Sequence, residues 1–426
     1  FGGSRDPLLV SVRSGAARSM PGMMETILNL GLNDESVEAL AKASGNRRFA
    51  FDAYRRLIMM YGSTAKGVER HLFDEAFEAL KRERTASRLG AAADTKIADT
   101  DVDAAELETL VSRFKEIYQK HTGQDFPQAP FAQLVGAIDA VFDSWMAEKA
   151  ETYRRVENIT GLAGTAVNVC QMVFGNMGDD SGTGVAFTRD PSTGENIFYG
   201  DYLVNAQGED VVAGVRTPLK LSELHNLMPE VYEHLEAVRV ILEVHYKDMQ
   251  DIEFTIERKK LYLLQCRTGK RSPQAAFRIA VEHATKPLLT APEAKRFVKK
   301  KLLSAQNAKA GLAPIITKDE AVMRITASEV ERLFFPVLDP SIPPAELSRR
   351  LLGEGIGAVP GAACGEVVFS AQDAEARAAQ GAKVILVRKE TSPEDVGGMH
   401  AAVGVLTATG GKTSHAAVVA RGWGKC

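Results

Sequence analysis

Residues 404–421 constrain the fold more than any other part of this sequence. They begin with an apolar run typical of a buried strand, pass through a glycine pair at 410–411, and continue into an Ala- and Val-rich stretch with helical spacing. Thr413 or Ser414 is the predicted N-cap of that helix. A buried strand that leads through a glycine turn into a helix is typical of α/β folds. The segment therefore predicts an α/β domain, with His415 in the first turn of the helix.

The rest of the chain divides by its periodicity. Residues 1–268 predict one large α+β unit, with a helical lobe between 34 and 157 and strands elsewhere. Residues 269–345 predict a helical linker that ends in a semi-rigid connection rich in proline. Residues 346–426 predict the smaller α/β domain. The predicted strands are 8–13, 166–174, 184–188, 201–206, 251–256, 261–266, 365–369, 383–387 and 402–406; the predicted linker helices are 275–282, 292–303, 318–324 and 327–334; the prolines are Pro336, Pro340, Pro343 and Pro344.

Composition excludes several classes of protein. A chain of 426 residues predicts two or three domains. Its formal net charge of −3 argues against general attraction to nucleic acid, and the absence of an apolar run of about 20 residues argues against a membrane span. The four cysteines are widely separated, which favours a reducing compartment. The sequence opens at Phe1 without Met and closes directly after a helix pattern, so we expect both ends to be internal to a longer chain.

His415 has the surroundings that a phosphoryl acceptor requires. The free N–H groups and the positive end of the helix dipole stabilise negative charge at the first turn. Neutral imidazole is nucleophilic near pH 7, and Gly410 and Gly411 let the backbone approach an incoming phosphate. A surface or capping histidine remains an alternative from position alone. A P-loop does not, because Leu406 stands where that motif requires glycine.

A second constellation is the predicted hairpin at 251–267. Period-two alternation places Asp251 and Glu253 on one face of the first strand, and Gln265 and Arg267 on one face of the returning strand. Two carboxylates and an amide oxygen suit Mg²⁺ held between protein and phosphates, and an arginine neutralises phosphate charge. A solvent-facing charged hairpin is the alternative.

Two stretches carry a family resemblance. Gly-Gly-Lys-Thr-Ser-His-Ala-Ala-Val-Val-Ala-Arg-Gly-Trp-Gly, at 410–424, resembles the phosphohistidine signature of the pyruvate, phosphate dikinases, in which Met is more usual at the position of Lys412. The related water dikinases tend to have Cys where Ser414 stands, and enzyme I of the sugar phosphotransferase system diverges after the histidine. Residues 9–31, which include Arg13, are also similar to the family, and the hairpin at 251–267 resembles the ATP-grasp enzymes.

The resemblance implies a multidomain α+β and α/β fold: an ATP-grasp nucleotide-binding domain, a helical linker and a swivelling phosphohistidine domain. It implies His415 as the phosphohistidine, Mg²⁺ held by Glu253 and Gln265, and ATP as a substrate. The segment at 181–184 resembles the glycine-rich ATP-grasp hairpin that folds over phosphates, although a plain β-turn also fits its pattern. The implied ATP-binding residues are Arg13, Ser181, Gly182, Thr183, Gly184, Asp251, Glu253, Gln265 and Arg267.

The family reaction converts ATP, phosphate and pyruvate to AMP, pyrophosphate and phosphoenolpyruvate. The resemblance implies these small-molecule substrates, a homodimer formed through a barrel that follows Cys426, and no nucleic-acid or membrane partner. Thr413 matches the position at which plant members are phosphorylated by a regulatory kinase. An intracellular location is expected, either cytoplasmic or in a plastid or glycosome. The alternatives are a pyruvate, water dikinase, and a non-catalytic phosphocarrier or nucleotide-sensing module.

Overall fold

The computed structural model divides the chain into two compact units, Phe1–Met172 and Val173–Cys426. It describes residues 1–3, 5, 7–18, 20, 22–89, 99–208, 210, 218–331, 333–334, 338–339, 341–411 and 414–426. Pro336 and Pro340 of the predicted connection therefore lie outside the described residues. The domain boundaries expected after 268 and 345 remain predictions. No helix in the described ranges has the length and apolarity needed to cross a membrane.

The first unit combines a small antiparallel sheet with helices. The strands have the order β2-β1-β3, and every pairing is antiparallel. The helices form the lobe that the spacing between 34 and 157 predicts. Their apolar faces bury aromatic side chains such as Phe49, Phe73 and Phe114 almost completely. The elements are β1 (Val10–Ser14), β2 (Thr26–Leu30), α1 (Ser36–Ser44), α2 (Arg47–Met60), α3 (Arg70–Leu89), α4 (Ala104–Thr122), α5 (Pro130–Asp143), α6 (Glu148–Val156) and β3 (Val167–Gln171).

The second unit is built on a five-stranded antiparallel sheet of order β6-β5-β4-β7-β8. Alternate residues of β7 show why it packs as it does: Ile252, Phe254 and Ile256 are fully buried in one apolar cluster with Leu235 of the long helix α8. The other face carries the polar side chains of the hairpin. The elements are β4 (Gly182–Phe187), β5 (Tyr199–Val204), β6 (Leu219–Lys220), α7 (Leu224–Leu227), α8 (Pro229–Tyr246), β7 (Gln250–Glu257) and β8 (Lys260–Thr268).

A series of helices follows the sheet, as the spacing of residues 272–335 predicts. Helices near its start share apolar clusters with α8 and with one another. The second of them was predicted to continue to 303 but ends at Lys299, because Lys301 adopts a left-handed φ of 58° that a helix does not accommodate. The helices are α9 (Pro273–Thr285), α10 (Ala291–Lys299), α11 (Ala305–Gly311), α12 (Lys318–Met323), α13 (Ala327–Glu331) and α14 (Pro344–Arg350).

The last part of the chain is the predicted small α/β fold. Three parallel strands have the order β11-β10-β9, and β10 is the central strand, with Val384 and Leu386 fully buried. Loops at the carboxyl ends of parallel strands meet at one edge of a sheet, which is where α/β folds place their sites. The elements are β9 (Glu366–Val368), α15 (Ala371–Ala379), β10 (Val384–Arg388), α16 (Val396–Ala401), β11 (Gly404–Thr407) and α17 (His415–Trp423).

Candidate active site

The β7–β8 hairpin has the face that the sequence predicts. Asp251 pairs with Arg267 and Glu253 with Gln265 across the two strands. Arg267 donates from Nε to Asp251 Oδ2 at 2.8 Å and from Nη2 to Glu253 Oε1 at 3.0 Å. One guanidinium therefore holds both carboxylates on the same side of the sheet, and the predicted grouping of these side chains is confirmed.

The hairpin retains acidic oxygen atoms that a cation or a ligand hydroxyl can use. Asp251 Oδ1 is buried and has no hydrogen-bond partner among the described residues. An unsatisfied buried carboxylate oxygen is costly, so it marks a position where a ligand would be stabilising. Gln265 lies beside Glu253 and is exposed, so its amide oxygen is accessible. Within the described ranges no three His, Cys, Asp or Glu side chains form a metal cluster. Two carboxylates and an amide oxygen are hard donors of the kind that Mg²⁺ binds, with phosphates and water as its remaining ligands.

The segment at 181–184 requires a correction. It was predicted to form an exposed glycine-rich turn, but Ser181 is fully buried and Gly182 begins β4, in the centre of the sheet. The backbone from Gly182 to Gly184 pairs with strands on both sides. The glycines are needed for packing instead, because a Cβ on Gly182 would meet Tyr202 and one on Gly184 would meet Phe254. Contact of these four residues with ATP remains a prediction.

His415 is the first residue of α17, as predicted. Ser414 is the N-cap, and its side chain accepts a hydrogen bond from Ala417 N at 3.5 Å. Gly410 has a φ of 109°, which favours glycine, and a Cβ there would lie 3.0 Å from that of Ser414. The chain therefore turns tightly before the helix and presents the imidazole at its positive end. Lys412 and Thr413 lie outside the described residues.

Thr391 is a site residue that the sequence did not reveal. Its Oγ1 lies 3.0 Å from Nδ1 of His415. The loop that carries Thr391 follows β10, and Asp395 fixes it by accepting hydrogen bonds from Ser392 N at 2.9 Å and Ser392 Oγ at 3.2 Å. Arg388 Nε also approaches Asp395 Oδ1 at 3.4 Å. The contact forms because the loops after β10 and β11 lie at the same edge of the parallel sheet. The spacing of residues along the chain does not predict such a contact.

The loop before His415 lies against the polar face of the larger sheet. An ideal Cβ on Gly411 would lie 3.2 Å from Oδ2 of Asp201, a second residue that sequence reasoning missed. Asp201 pairs with Val185, and Val185 pairs with Glu253. Residues directly opposite on paired strands share a face. Asp201 therefore lies in the same row of the sheet as Glu253, and the loop before His415 lies against that face of the sheet.

Arg13 belongs to the first unit. It lies on β1, where it pairs with Asn168 on one side and Thr26 on the other. Its Nε donates to Ser11 Oγ at 3.3 Å, and the side chain is half-buried. Its predicted contact with ATP remains a prediction.

The chain thus combines a histidine at a helix N-terminus with a sheet face that carries two carboxylates, an amide and an arginine, an arrangement suited to the binding and transfer of phosphate. Residues 2–222 and 220–286 match the family described as pyruvate phosphate dikinase, AMP/ATP-binding domain. Residues 380–426 match the PEP-utilising enzyme, mobile domain. The chain belongs to the pyruvate, phosphate dikinase family.

Curated relatives agree with this assignment over the whole chain. The chain is 51% identical to the chloroplastic pyruvate, phosphate dikinase of Flaveria pringlei over 426 residues, which cover 100% of this chain and 40% of the relative. It is 50% identical to the enzyme of Rhizobium meliloti over 436 residues and 49% identical to that of Clostridium symbiosum over 427 residues. These two alignments cover 100% of this chain and 44% of each relative. The chain thus spans less than half the length of these relatives.

Proposed function

We propose that this chain carries the ATP half-reaction and the carrier histidine of a pyruvate, phosphate dikinase. The complete reaction is ATP + phosphate + pyruvate ⇌ AMP + pyrophosphate + phosphoenolpyruvate. One observation carries the proposal: the loop that precedes His415 lies against Asp201, in the row of the sheet that contains Glu253. The names of the relatives, at about half identity over the whole chain, support the same reaction.

The first step is attack by the imidazole on the β-phosphorus of ATP. A nucleophilic nitrogen needs a lone pair, so the proton of the neutral ring must lie on the other nitrogen. When Nδ1 carries that proton it donates to Thr391 Oγ1, and Nε2 is the nucleophile. A bond forms between Nε2 and the β-phosphorus, and the bond from that phosphorus to the α,β-bridging oxygen breaks. AMP leaves, and a pyrophosphoryl group remains on His415.

The polar face of the sheet would align the triphosphate for this attack. Phosphoryl transfer depends chiefly on positioning and on neutralisation of charge. Arg267 and, from the first unit, Arg13 would contact phosphate oxygens, while Glu253 and Gln265 would hold Mg²⁺. The metal would neutralise charge on the phosphates when bound. Asp251, already bonded to Arg267, keeps a second carboxylate oxygen for the nucleotide or its water.

The remaining steps regenerate the histidine. An oxygen of inorganic phosphate attacks the γ-phosphorus, the bond from that phosphorus to the bridging oxygen breaks, and pyrophosphate leaves. The phosphoryl group on Nε2 is then transferred to the enolate oxygen of pyruvate. Backbone N–H groups at the start of α17 would stabilise the charge on the phosphohistidine between these steps.

The wider organisation is part of the proposal. We place an ATP-grasp domain at 1–268, a linker at 269–345 and a swivelling phosphohistidine domain from 346. A pyruvate-binding barrel that also forms a homodimer would belong to the complete enzyme. Several plant relatives are named chloroplastic, which fits a plastid or another intracellular location.

Phosphorylation of Thr413 by a regulatory kinase would place about two negative charges beside the acceptor histidine and repel ATP.

The test follows the label from β-³²P-ATP. The chain should acquire acid-labile, base-stable label, and His415→Asn should abolish it while nucleotide affinity is retained, because asparagine cannot form the phosphoramidate. His121→Asn, at an exposed position of the first unit, is the matched control and should label normally. Persistent label in His415→Asn would overturn the proposal. In the complete enzyme, the formation of AMP in the presence of pyruvate should require inorganic phosphate. If AMP formed at the same rate without phosphate, the enzyme would be a pyruvate, water dikinase instead.

A further inference from the structure

Arg421, near the end of α17, is among the largest fully buried side chains of the described residues. Its Nε donates to the carbonyl of Ala358 at 3.4 Å, and its guanidinium carbon lies 5.9 Å from the centre of the Phe187 ring. Ala358 is also bonded to the nucleotide-binding part of the chain, because its carbonyl accepts from Ser192 Oγ at 3.2 Å. The end of α17 that lies farther from His415 is therefore enclosed by the larger sheet and its loops.

Three ionisable groups of that larger sheet and the loop beside it act on the charge of Arg421. Burial lowers the pKa of the guanidinium, while Tyr199, Asp190 and Asp251 act to raise it. An arginine does not lose its proton in a protein, so it enters a buried position only where acidic or π-rich partners compensate for lost hydration.

Strand register relates this contact to the one at the other end of the helix. Phe187 pairs with Tyr199 on one side and with Asp251 on the other, so these three residues form one row of the sheet. Asp201, which lies against Gly411, belongs to the next row on the same face. Rows on one face are about 7 Å apart along a strand. Helix α17 and its preceding loop thus contact two successive rows, with His415 between the two contacts.

We propose that Arg421 is a positioning residue for the ATP half-reaction: it inserts into the Tyr199–Phe187–Asp251 row and thereby sets the place of His415 over the row that contains Glu253. This inference rests on the proposed function. Arg421 contacts no reacting atom, and its role ends when the small domain leaves the sheet and the guanidinium regains its hydration. A histidine misplaced by about 1 Å loses on the order of 100-fold in rate.

A disulfide reports this docking without any catalysis. An ideal Cβ on Gly411 would lie 3.9 Å from Cγ of Asp201, the atom that Sγ would replace in Asp201→Cys. In Gly411→Cys/Asp201→Cys, mild oxidation should form the cross-link, and adding Arg421→Gln should slow its formation about 10-fold by lowering the effective concentration of the thiols. Arg377→Gln, at an exposed arginine bonded to Glu366, should leave the rate unchanged. Equal rates with Arg421 and with Arg421→Gln would overturn the inference.

The two half-reactions provide the second measurement, made on the complete enzyme. Arg421→Gln should label from β-³²P-ATP about 100-fold more slowly at saturating nucleotide, while labelling from ³²P-phosphoenolpyruvate stays unchanged. Arg421→Lys, which keeps the charge, should recover part of the rate. Equal loss of both labelling reactions would mean that Arg421 only maintains the fold of the small domain, which would overturn the inference. Failure of the proposed function can be distinguished from failure of this inference, because it would appear as label from β-³²P-ATP on the His415→Asn variant.

Discussion

Thr391 Oγ1 lies 3.0 Å from Nδ1 of His415, although 24 residues separate the two in the chain. The contact holds the plane of the imidazole, and Thr391 Oγ1 accepts the hydrogen bond when Nδ1 carries the ring proton. The backbone maintains it: Ala408 N donates to Arg388 O at 3.0 Å and Thr409 N to Lys389 O at 3.0 Å, so the pairing of β10 and β11 continues into both loops. The orientation of the proposed nucleophile therefore depends on a hydroxyl from the neighbouring loop.

Thr391→Val should slow phosphorylation of His415 by about 10- to 100-fold, the usual effect of losing the group that orients a functional imidazole. Valine keeps the branched shape and removes the hydroxyl, so the loop should retain its fold. Thr391→Ser should restore most of the rate. The measurement is the rate of labelling from β-³²P-ATP as a function of pH. An unchanged rate and an unchanged pH profile in Thr391→Val would contradict the orienting role.

Glu253→Gln should lower the efficiency of Mg·ATP use by about 100-fold, as expected when one charged group is lost at a phosphoryl-transfer centre. It should also raise the Mg²⁺ concentration needed for half-maximal labelling. Arg267 remains bonded to Asp251, so the hairpin should keep its geometry. Gln265→Ala should act in the same direction.

The control for the Glu253→Gln variant is the half-reaction that does not use ATP. Exchange between phosphoenolpyruvate and pyruvate in the complete enzyme should be unaffected by Glu253→Gln. Glu354→Gln, at an exposed position between α14 and β9, should leave both half-reactions at the wild-type rate. If Glu253→Gln slowed both half-reactions to the same extent, the hairpin would be structural rather than a site for Mg·ATP.

The sequence predicted the parts of this fold whose pattern is local. Alternation over 251–267 placed Asp251 and Glu253 on one face because the side-chain period of a strand is two. The strand–glycine–helix pattern placed His415 at a helix N-terminus for a similar reason. Strand β2 was not among the strands predicted: it is a short apolar run, and Asn29 within it adopts a left-handed φ of 63°.

Contacts set by strand order were not predictable in the same way. Thr391 reaches His415 through the alignment of parallel strands, and Asp201 joins the row of Glu253 only because β4 lies between β5 and β7. The glycines at 182 and 184 gave a wrong prediction because glycine occurs both in turns and in closely packed strands. The composition of the segment 181–184 indicated a turn, whereas in the structure these glycines let a strand pack closely against the rings of Tyr202 and Phe254.

The buried carboxylate of Glu243 should make the free energy of unfolding decrease in acid. Burial acts to raise its pKa, but the hydrogen bond with His283 and the charge of Arg189 outweigh burial and lower the pKa to about 2. A carboxyl group with a depressed pKa stabilises the fold above its unfolded pKa of about 4.3 and loses that contribution as pH falls toward 2. The loss should be about 3 kcal/mol, and Glu243→Gln should remove this pH dependence.

The measurement is the free energy of unfolding of the second unit between pH 2.5 and pH 7. Glu243→Gln should be less stable at pH 7, because Arg189 loses one of its two acidic partners among the described residues and keeps Glu282, with Nη1 2.8 Å from Oε2. Its stability should then change less than that of the wild type between about pH 5 and pH 2.5. Glu366→Gln, at an exposed ion pair, should follow the wild-type curve. Parallel curves for Glu243→Gln and the wild type would contradict the linkage.

Movement of the small domain can be tested by locking it in the arrangement described here. An ideal Cβ on Gly422 would lie 3.5 Å from Cδ of Lys270, away from the acidic row, and Sγ of Lys270→Cys would lie one bond from that Cδ position, so oxidation of Gly422→Cys/Lys270→Cys is expected to close a disulfide. In the proposed reaction one imidazole serves both ATP and pyruvate, and two sites that exclude water cannot enclose it together. The oxidised complete enzyme should therefore label His415 from ATP and fail to transfer the phosphoryl group to pyruvate. Reduction should restore transfer, and neither single cysteine variant should respond to oxidant. If the oxidised double variant completed the whole cycle at the rate of the reduced form, His415 would meet both substrates without domain motion.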